Sequence, residues 1–194
     1  MNRPVLVTAP GATPITLAEA KAHLRVDHAE DDTLIGTLIQ AATDHLDGWS
    51  GVLGRCLVTQ TWSQSFDGFY GRFLRLPFPD VASIASVTYQ DADDAEQIVA
   101  SASYAIKEDA KSAYLFFAES FAIPTVYARP DAVTVTFTTG YGAASAVPEA
   151  IKAAIKLLVG HWYENRESIS AGPGLSELPM SVQSLVTPYR RGII

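Results

Sequence analysis

The spacing of apolar residues changes twice along this chain, and this change most constrains the fold. Between residues 34 and 46 apolar side chains recur every three or four positions, the period of one helix face. From Ala132 to Thr138 they alternate with threonines, as in a half-buried strand, and helical spacing returns from Ile151 to Trp162. This order predicts an α+β fold, with a helical core formed by N- and C-terminal helices and an inserted small antiparallel β-domain.

Turn and capping residues predict the domain boundaries. Residues 1–15 are rich in Pro and Gly and suggest an extended N-terminal arm. Thr16 and Glu19 have the spacing of a capping box that begins a short helix, and Pro148 suits the first turn of a later one. We therefore expect a helical core over residues 16–56 and 140–174, a β-domain of five to seven strands over 57–139, and a C-terminal docking tail over 175–194.

Composition narrows the class of function. The formal net charge is −7, and residues 148–194, with four acids and five bases, lack the acidic excess of the rest. An acidic body disfavours gripping nucleic acid, because affinity for phosphates comes mainly from clustered Lys and Arg. No apolar run approaches the roughly 18 residues of a membrane span, so we expect a soluble protein. One cysteine, Cys56, cannot form an internal disulfide, which fits a reducing compartment.

Motifs that would carry catalysis or metal binding are incomplete. Asp91-Ala92-Asp93-Asp94 resembles the start of a calcium loop but lacks the required Gly and Glu, and an exposed hairpin turn explains it better. His161 and Glu164 lie one turn apart without the second histidine of a zinc motif. Gly140-Tyr141-Gly142 is too short to cradle a phosphate and suits a hinge. We expect no catalytic, cofactor or metal residues.

The helix end at residues 160–167 is a candidate interface. The apolar stripe predicts that Trp162 is buried, with Tyr163 and Arg166 on its flanks. Aromatic and Arg side chains are enriched in protein interfaces. Helix-end packing with surface ion pairs is an equally good interpretation.

A series of short motifs runs in order along nearly the whole chain. They are Pro14 to Val26, Asp31-Asp32, Leu34-Ile35, Leu38 to Ala42, Gln60-Thr61-Trp62, Gly140-Tyr141-Gly142, Val147-Pro148, His161 to Glu167, Leu178-Pro179 and Pro188-Tyr189-Arg190. In this series the chain resembles the head–tail connector proteins (adaptor or head-completion proteins) of tailed phages and phage-like gene transfer agents. Residues 110–131, with Phe116, Phe117 and Phe121, do not match the family pattern.

The resemblance implies a structural virion subunit without enzymatic activity. About twelve copies would form a ring between portal and tail, extending the DNA channel and providing the tail attachment site. The implied partners are copies of itself, the portal protein and a tail-side stopper or tail terminator protein, while DNA passes without specific binding. The implied location is the head–tail junction of the virion, after assembly in the bacterial host cytoplasm. We expect the C-terminal docking tail of the chain, residues 175–194, to bind the portal. Its further candidate contacts are Leu178, Tyr189, Arg190 and Arg191.

Two alternatives remain open at this stage. A DNA-packaging accessory protein would need a basic patch, which folding could assemble from dispersed residues. A small enzyme would need dispersed catalytic residues, for which His161, Tyr163 and Glu164 form the only suggestive group.

Overall fold

The computed structural model describes residues 2–166 and 180–191, and it contains both helices and antiparallel sheets. The predicted α+β class is therefore confirmed. The chain divides into two compact units. Among the described residues, the β unit comprises 2–11, 59–141 and Arg191, and the helical unit comprises 12–58, 142–166 and 180–190. The first 15 residues thus do not form one separate arm, because they are divided between the two units.

The helical unit contains helices from both ends of the chain. They are α1 (Leu17–Leu24), α2 (Asp32–Leu46), α3 (Glu149–Glu164) and α4 (Met180–Val186). α3 packs against the other three. The apolar stripes predicted from the sequence are buried at Ile35, Ile39, Ile151, Ile155 and Leu158.

The helix boundaries follow local chemistry. The predicted capping box is confirmed: the Glu19 amide donates to Thr16 Oγ1 at 3.2 Å, and the Thr16 amide donates to Glu19 Oε2 at 2.7 Å. Pro148 is the N-cap of α3 rather than a residue of its first turn. The fixed φ of proline suits both positions, which the sequence alone did not separate.

The β unit contains eight strands in two antiparallel sheets. One sheet has the order β1-β2-β8-β4-β5, and the smaller one has the order β3-β7-β6. Seven of the strands lie within residues 57–139, all of which are described, and this confirms the expected five to seven. The strands are β1 (Val5–Thr8), β2 (Gln60–Phe66), β3 (Phe73–Arg75), β4 (Val81–Gln90), β5 (Glu96–Ile98), β6 (Tyr104–Glu108), β7 (Ala113–Phe117) and β8 (Val133–Thr139).

Strand β8 of the larger sheet has one apolar face and one face of hydroxyl side chains. On β8, Val133, Val135 and Phe137 are fully buried, as the alternation predicts, whereas the intervening threonines are half-buried. β1 adds to this sheet by pairing with β2, so part of the predicted arm is a strand. β1 was missed because four residues between two prolines give too short a pattern.

Two glycines end β8 where the chain passes from the β unit to the helical unit. Gly140 has a φ of 119° and Gly142 a φ of 117°, which only glycine adopts without strain. This backbone geometry agrees with the predicted hinge out of the strand.

Candidate functional site

Tyr163 and Arg166, two residues of the candidate interface, lie at the C-terminal end of α3 and contact Asp31. The Tyr163 hydroxyl donates a hydrogen bond to Asp31 Oδ2, and Arg166 Nη2 donates to the same oxygen at 3.1 Å. The Arg166 guanidinium also lies over the Tyr163 ring, 4.8 Å from its centroid. Asp31 is the N-cap of α2, yet its carboxylate makes no capping hydrogen bond. The cluster therefore connects the loop before α2 to the end of α3.

The hydrogen bonds of this cluster shift two pKa values. The Tyr163 hydrogen bond, followed by the Arg166 contacts, lowers the pKa of Asp31. The same hydrogen bond raises the pKa of Tyr163, because the hydroxyl proton is held by a carboxylate. At neutral pH the pair is a charged acceptor and a neutral donor. Both side chains thus already have partners within the chain.

Trp162 lies beside this cluster but is only half-buried, so the expectation that the stripe buries it was wrong. Its ring meets the exposed His45 ring of α2 edge to face, with centroids 6.4 Å apart. The last fully buried residue of the α3 stripe is Val159, about one turn before the end of the helix. Part of the Trp162 ring is therefore exposed to solvent.

The described part of the predicted docking tail packs on its own chain. In α4, Val182 and Val186 are buried, and the helix contacts α3. Arg191 donates hydrogen bonds to the carbonyl oxygens of Pro77 and, at 3.1 Å, Lys111.

The remaining residues predicted for the tail differ in exposure. Tyr189 is half-buried and Arg190 is exposed. Leu178 lies outside the described residues. Among the described candidate residues of this C-terminal segment, Arg190 is therefore the one that is exposed.

A further exposed surface was missed by the sequence analysis. On the outer side of the small sheet, Phe73 and Phe116 lie directly opposite each other on β3 and β7 and are 50% and 43% exposed. Tyr114 is on the same side, and its ring lies 6.4 Å from that of Phe73. We call Phe73, Tyr114 and Phe116 the aromatic face.

The doublet Phe116-Phe117 was the available signal for this surface. Successive residues of a strand point to opposite sides, so only one of two adjacent phenylalanines can enter the core. Phe117 is fully buried and contacts the rings of Phe69 and Phe121. Phe116 must then face outward.

The chemistry of these surfaces is that of packing and pairing. Among residues 2–166 and 180–191, no cluster of three or more His, Cys, Asp or Glu side chains could hold a metal ion. No helix in this part of the chain is long and apolar enough to cross a membrane. Asp91, which begins the calcium-like motif, instead accepts hydrogen bonds from the Asp93 and Ala95 amides, both at 3.0 Å, within a hairpin turn. Of the suggestive catalytic group, Tyr163 has its hydroxyl on Asp31, and His161 and Glu164 are exposed.

Taken together, the helical unit and the two-sheet β unit define an α+β protein with exposed aromatic and Arg side chains. Residues 13–192 match the family model described as head completion protein, so the chain belongs to the head completion protein family. This confirms the resemblance found in the sequence, and it confirms that the protein is structural and not an enzyme. The alternative of a small enzyme is therefore excluded. No curated protein matches the chain.

Chains in solved structures of gene transfer agent particles share the fold. One is from the neck of an empty particle computed with C6 symmetry, with a TM-score of 0.79 and 23% identity. A second is from the virion of a native particle, with a TM-score of 0.78 and 24% identity. A third is from the neck of a native particle computed with C12 symmetry, with a TM-score of 0.72 and 22% identity. Each comparison covers 100% of this chain and 97% of the other.

Proposed function

We propose that this protein forms a ring between the portal and the tail of a tailed phage, prophage or gene transfer agent. The observation that carries the proposal is the shared fold, over the whole chain, with chains of gene transfer agent necks and virions. Two of those neck structures were computed with C6 and C12 symmetry. A ring of about twelve copies of this chain fits that symmetry. It would place the protein at the head–tail junction of the virion, assembled in the host cytoplasm.

The division into two units suits such a ring. Contacts that close by rotation are head to tail, so each subunit needs two different surfaces. A helical core built from both chain ends, with an inserted β-domain, offers surfaces of different composition. The ring would extend the DNA channel and carry the attachment site for a tail-side stopper or tail terminator protein.

The charge of the protein fits a channel that DNA passes through. The formal net charge is −7, and the excess acid would repel phosphates rather than bind them. No observation favours the DNA-packaging accessory role, which requires a basic patch. We propose that acidic surface lines the channel and that DNA slides past without specific binding.

In this proposal the C-terminal docking tail of the chain binds the portal. Residues 175–194 follow α3, and Met180 and Arg190 are exposed in the part that is described. Arg is enriched among the residues that dominate protein interfaces. We propose that this tail, with Tyr189 and Arg190 as contacts, holds the subunit on the portal.

Deletion of the gene from a particle-producing strain tests the proposed function. We expect DNA-filled heads and separate tails by electron microscopy, and restoration of joined particles when the chain is supplied from a plasmid. Purified restored particles carrying a tagged copy should be labelled at the neck. Normal, infectious or gene-transferring particles in the deletion strain would refute the proposal.

A further inference from the structure

The aromatic face carries an unpaired positive charge. Lys107 on β6 lies opposite Tyr114 of β7 and is exposed. No carboxylate lies within ion-pair distance of it in the described part of the chain. The nearby Arg75 is neutralised, because its guanidinium donates to both oxygens of Asp109 at 2.8 and 2.7 Å. The surface therefore combines exposed aromatic rings with the single free charge of Lys107.

The hairpin of β4 and β5 has the opposite character. Ile98 at the end of β5 is 76% exposed, and Asp93 and Glu96 are exposed carboxylates without a cation partner among the described residues. Asp94 differs, because it pairs with Arg129 at 3.2 Å. We call Asp93, Glu96 and Ile98 the acidic hairpin surface.

The turn that presents the acidic hairpin surface is well ordered by Asp91. One carboxylate oxygen of Asp91 accepts hydrogen bonds from the amides of Asp93 and Ala95. The other accepts a hydrogen bond from Gln97 Nε2 at 2.7 Å. These hydrogen bonds lower the pKa of Asp91, so it stays ionised and keeps the turn closed. The hairpin is thus organised before any partner binds.

These two surfaces are complementary in both apolar area and charge. Copies of a protein with a net charge of −7 repel each other. A contact between two copies is therefore stabilised when an unpaired cation of one lies opposite an unpaired carboxylate of the other. Exposed aromatic pairs such as Phe73 and Phe116 commonly mark sites of protein association. The two surfaces are also different, which is the condition for a head-to-tail contact.

We propose that the acidic hairpin surface of one copy docks on the aromatic face of the next. Ile98 covers Phe73 and Phe116, while Glu96 and Asp93 face Lys107. The inference rests on the proposed ring, and it names the surfaces that join neighbouring subunits. The occupant of the aromatic face is therefore a second copy of this chain.

Cysteine cross-linking between two different copies tests this contact. Lys107→Cys and Glu96→Cys are made in separate chains, and the only native cysteine, Cys56, is 1% exposed. Both chains are co-expressed in the deletion strain, and the purified particles are mildly oxidised. We expect a covalent dimer from the mixture and none from particles containing either variant alone. Because each chain carries a single new thiol, a bond within one chain cannot imitate this result.

A charge exchange provides the second measurement. Lys107→Glu or Glu96→Lys alone should lower incorporation into particles about tenfold, since each sets like charges against each other. The double variant should regain most of the incorporation. The exposed Lys111→Glu change is the control, because this lysine lies in the turn between β6 and β7 rather than opposite Tyr114.

The outcomes separate the two proposals. Particles that contain the chain at the neck but give no mixed dimer, and that accept both single reversals, would overturn the proposed contact and leave the ring intact. Absence of the wild-type chain from the neck would overturn the ring itself. A mixed dimer that forms equally with a Lys111→Cys partner would also refute the contact, because it would not be specific.

Discussion

The hydroxyl of Tyr163 donates a hydrogen bond to the carboxylate of Asp31, 132 positions earlier in the chain. This contact joins the end of α3 to the start of α2, and Arg166 adds a second donor at 3.1 Å. Tyr163 and Arg166, which were expected to face a partner protein, therefore also connect two helices of their own unit.

The pH dependence of stability should report the Asp31 contact. The folded-state pKa of Asp31 is below its ordinary value of 3.8, so its contribution is fully present above that value. It is lost as the pH falls through 3.8 toward the lower folded pKa. We expect Asp31→Asn to have a lower Tm at neutral pH and a smaller fall in Tm between about pH 6 and about pH 2.5.

Two variants control this measurement. Asp27→Asn removes an exposed carboxylate from the same loop and should follow the wild-type curve. Tyr163→Phe removes the main donor and should behave like Asp31→Asn. Parallel Tm curves for Asp31→Asn and wild type across this pH range would contradict the assigned contact.

Truncation should destabilise the protein much more at Phe117 than at the adjacent Phe116. Phe117 is fully buried, so Phe117→Ala should lower the free energy of unfolding by about 3–5 kcal/mol. Phe116 is 43% exposed and lies opposite Phe73, so Phe116→Ala should lower it by only about 1–2 kcal/mol. Incorporation into particles should nevertheless fall for Phe116→Ala. Denaturant titration gives the first quantity, and equal destabilisation by the two variants would contradict the assigned strand facing.

Local patterns predicted the elements with a clear period. The stripe of α2, the capping box of Thr16 and the alternation on β8 depend on residues within a few positions of one another, so the sequence displays them directly. The small sheet was harder to predict from the sequence, because its strands β3 and β6 contain only three and five residues. Strands of that length give too few alternations to assign a face.

Contacts between distant residues could not be predicted. Nothing in the sequence near Tyr163 indicates Asp31 as the partner of Tyr163 and Arg166. Arg191 likewise looked free for a neighbour but donates to the Pro77 carbonyl of its own chain. Such contacts are set by the packing of whole elements, which a single sequence does not reveal. The aromatic face arises in the same way, since Phe73 and Phe116 are 43 positions apart.

A side chain at Gly142 should strain the backbone that leads out of β8. Gly142 has a φ of 117°, so Gly142→Ala should cost about 1–3 kcal/mol of folding free energy through backbone strain. An added Cβ would lie 3.6 Å from Ala146 Cβ, an ordinary contact, so crowding does not explain the cost. Gly36→Ala is the matched control, since Gly36 lies in α2 with open space around it and should stabilise by about 1 kcal/mol. Equal effects on Tm would refute the hinge geometry.

The acidic body should prevent retention of duplex DNA. With a formal net charge of −7, the purified protein should not bind a DNA fragment at about 150 mM salt. Electrophoretic mobility shift with increasing protein measures this. Tight binding at that salt concentration would contradict the proposed channel surface and favour a packaging role.

The tail contact with the portal can be tested without unfolding the helical unit. Removing residues 175–194 would also remove Val182 and Val186, which are buried, so loss of binding would not identify the contact. Arg190 is exposed, and Arg190→Ala should reduce capture of purified portal protein about tenfold while leaving the Tm unchanged. Arg3→Ala, an exposed arginine at the other chain end, should leave capture unchanged. If Arg190→Ala and Tyr189→Ala both capture portal as well as wild type does, another surface must hold the subunit there.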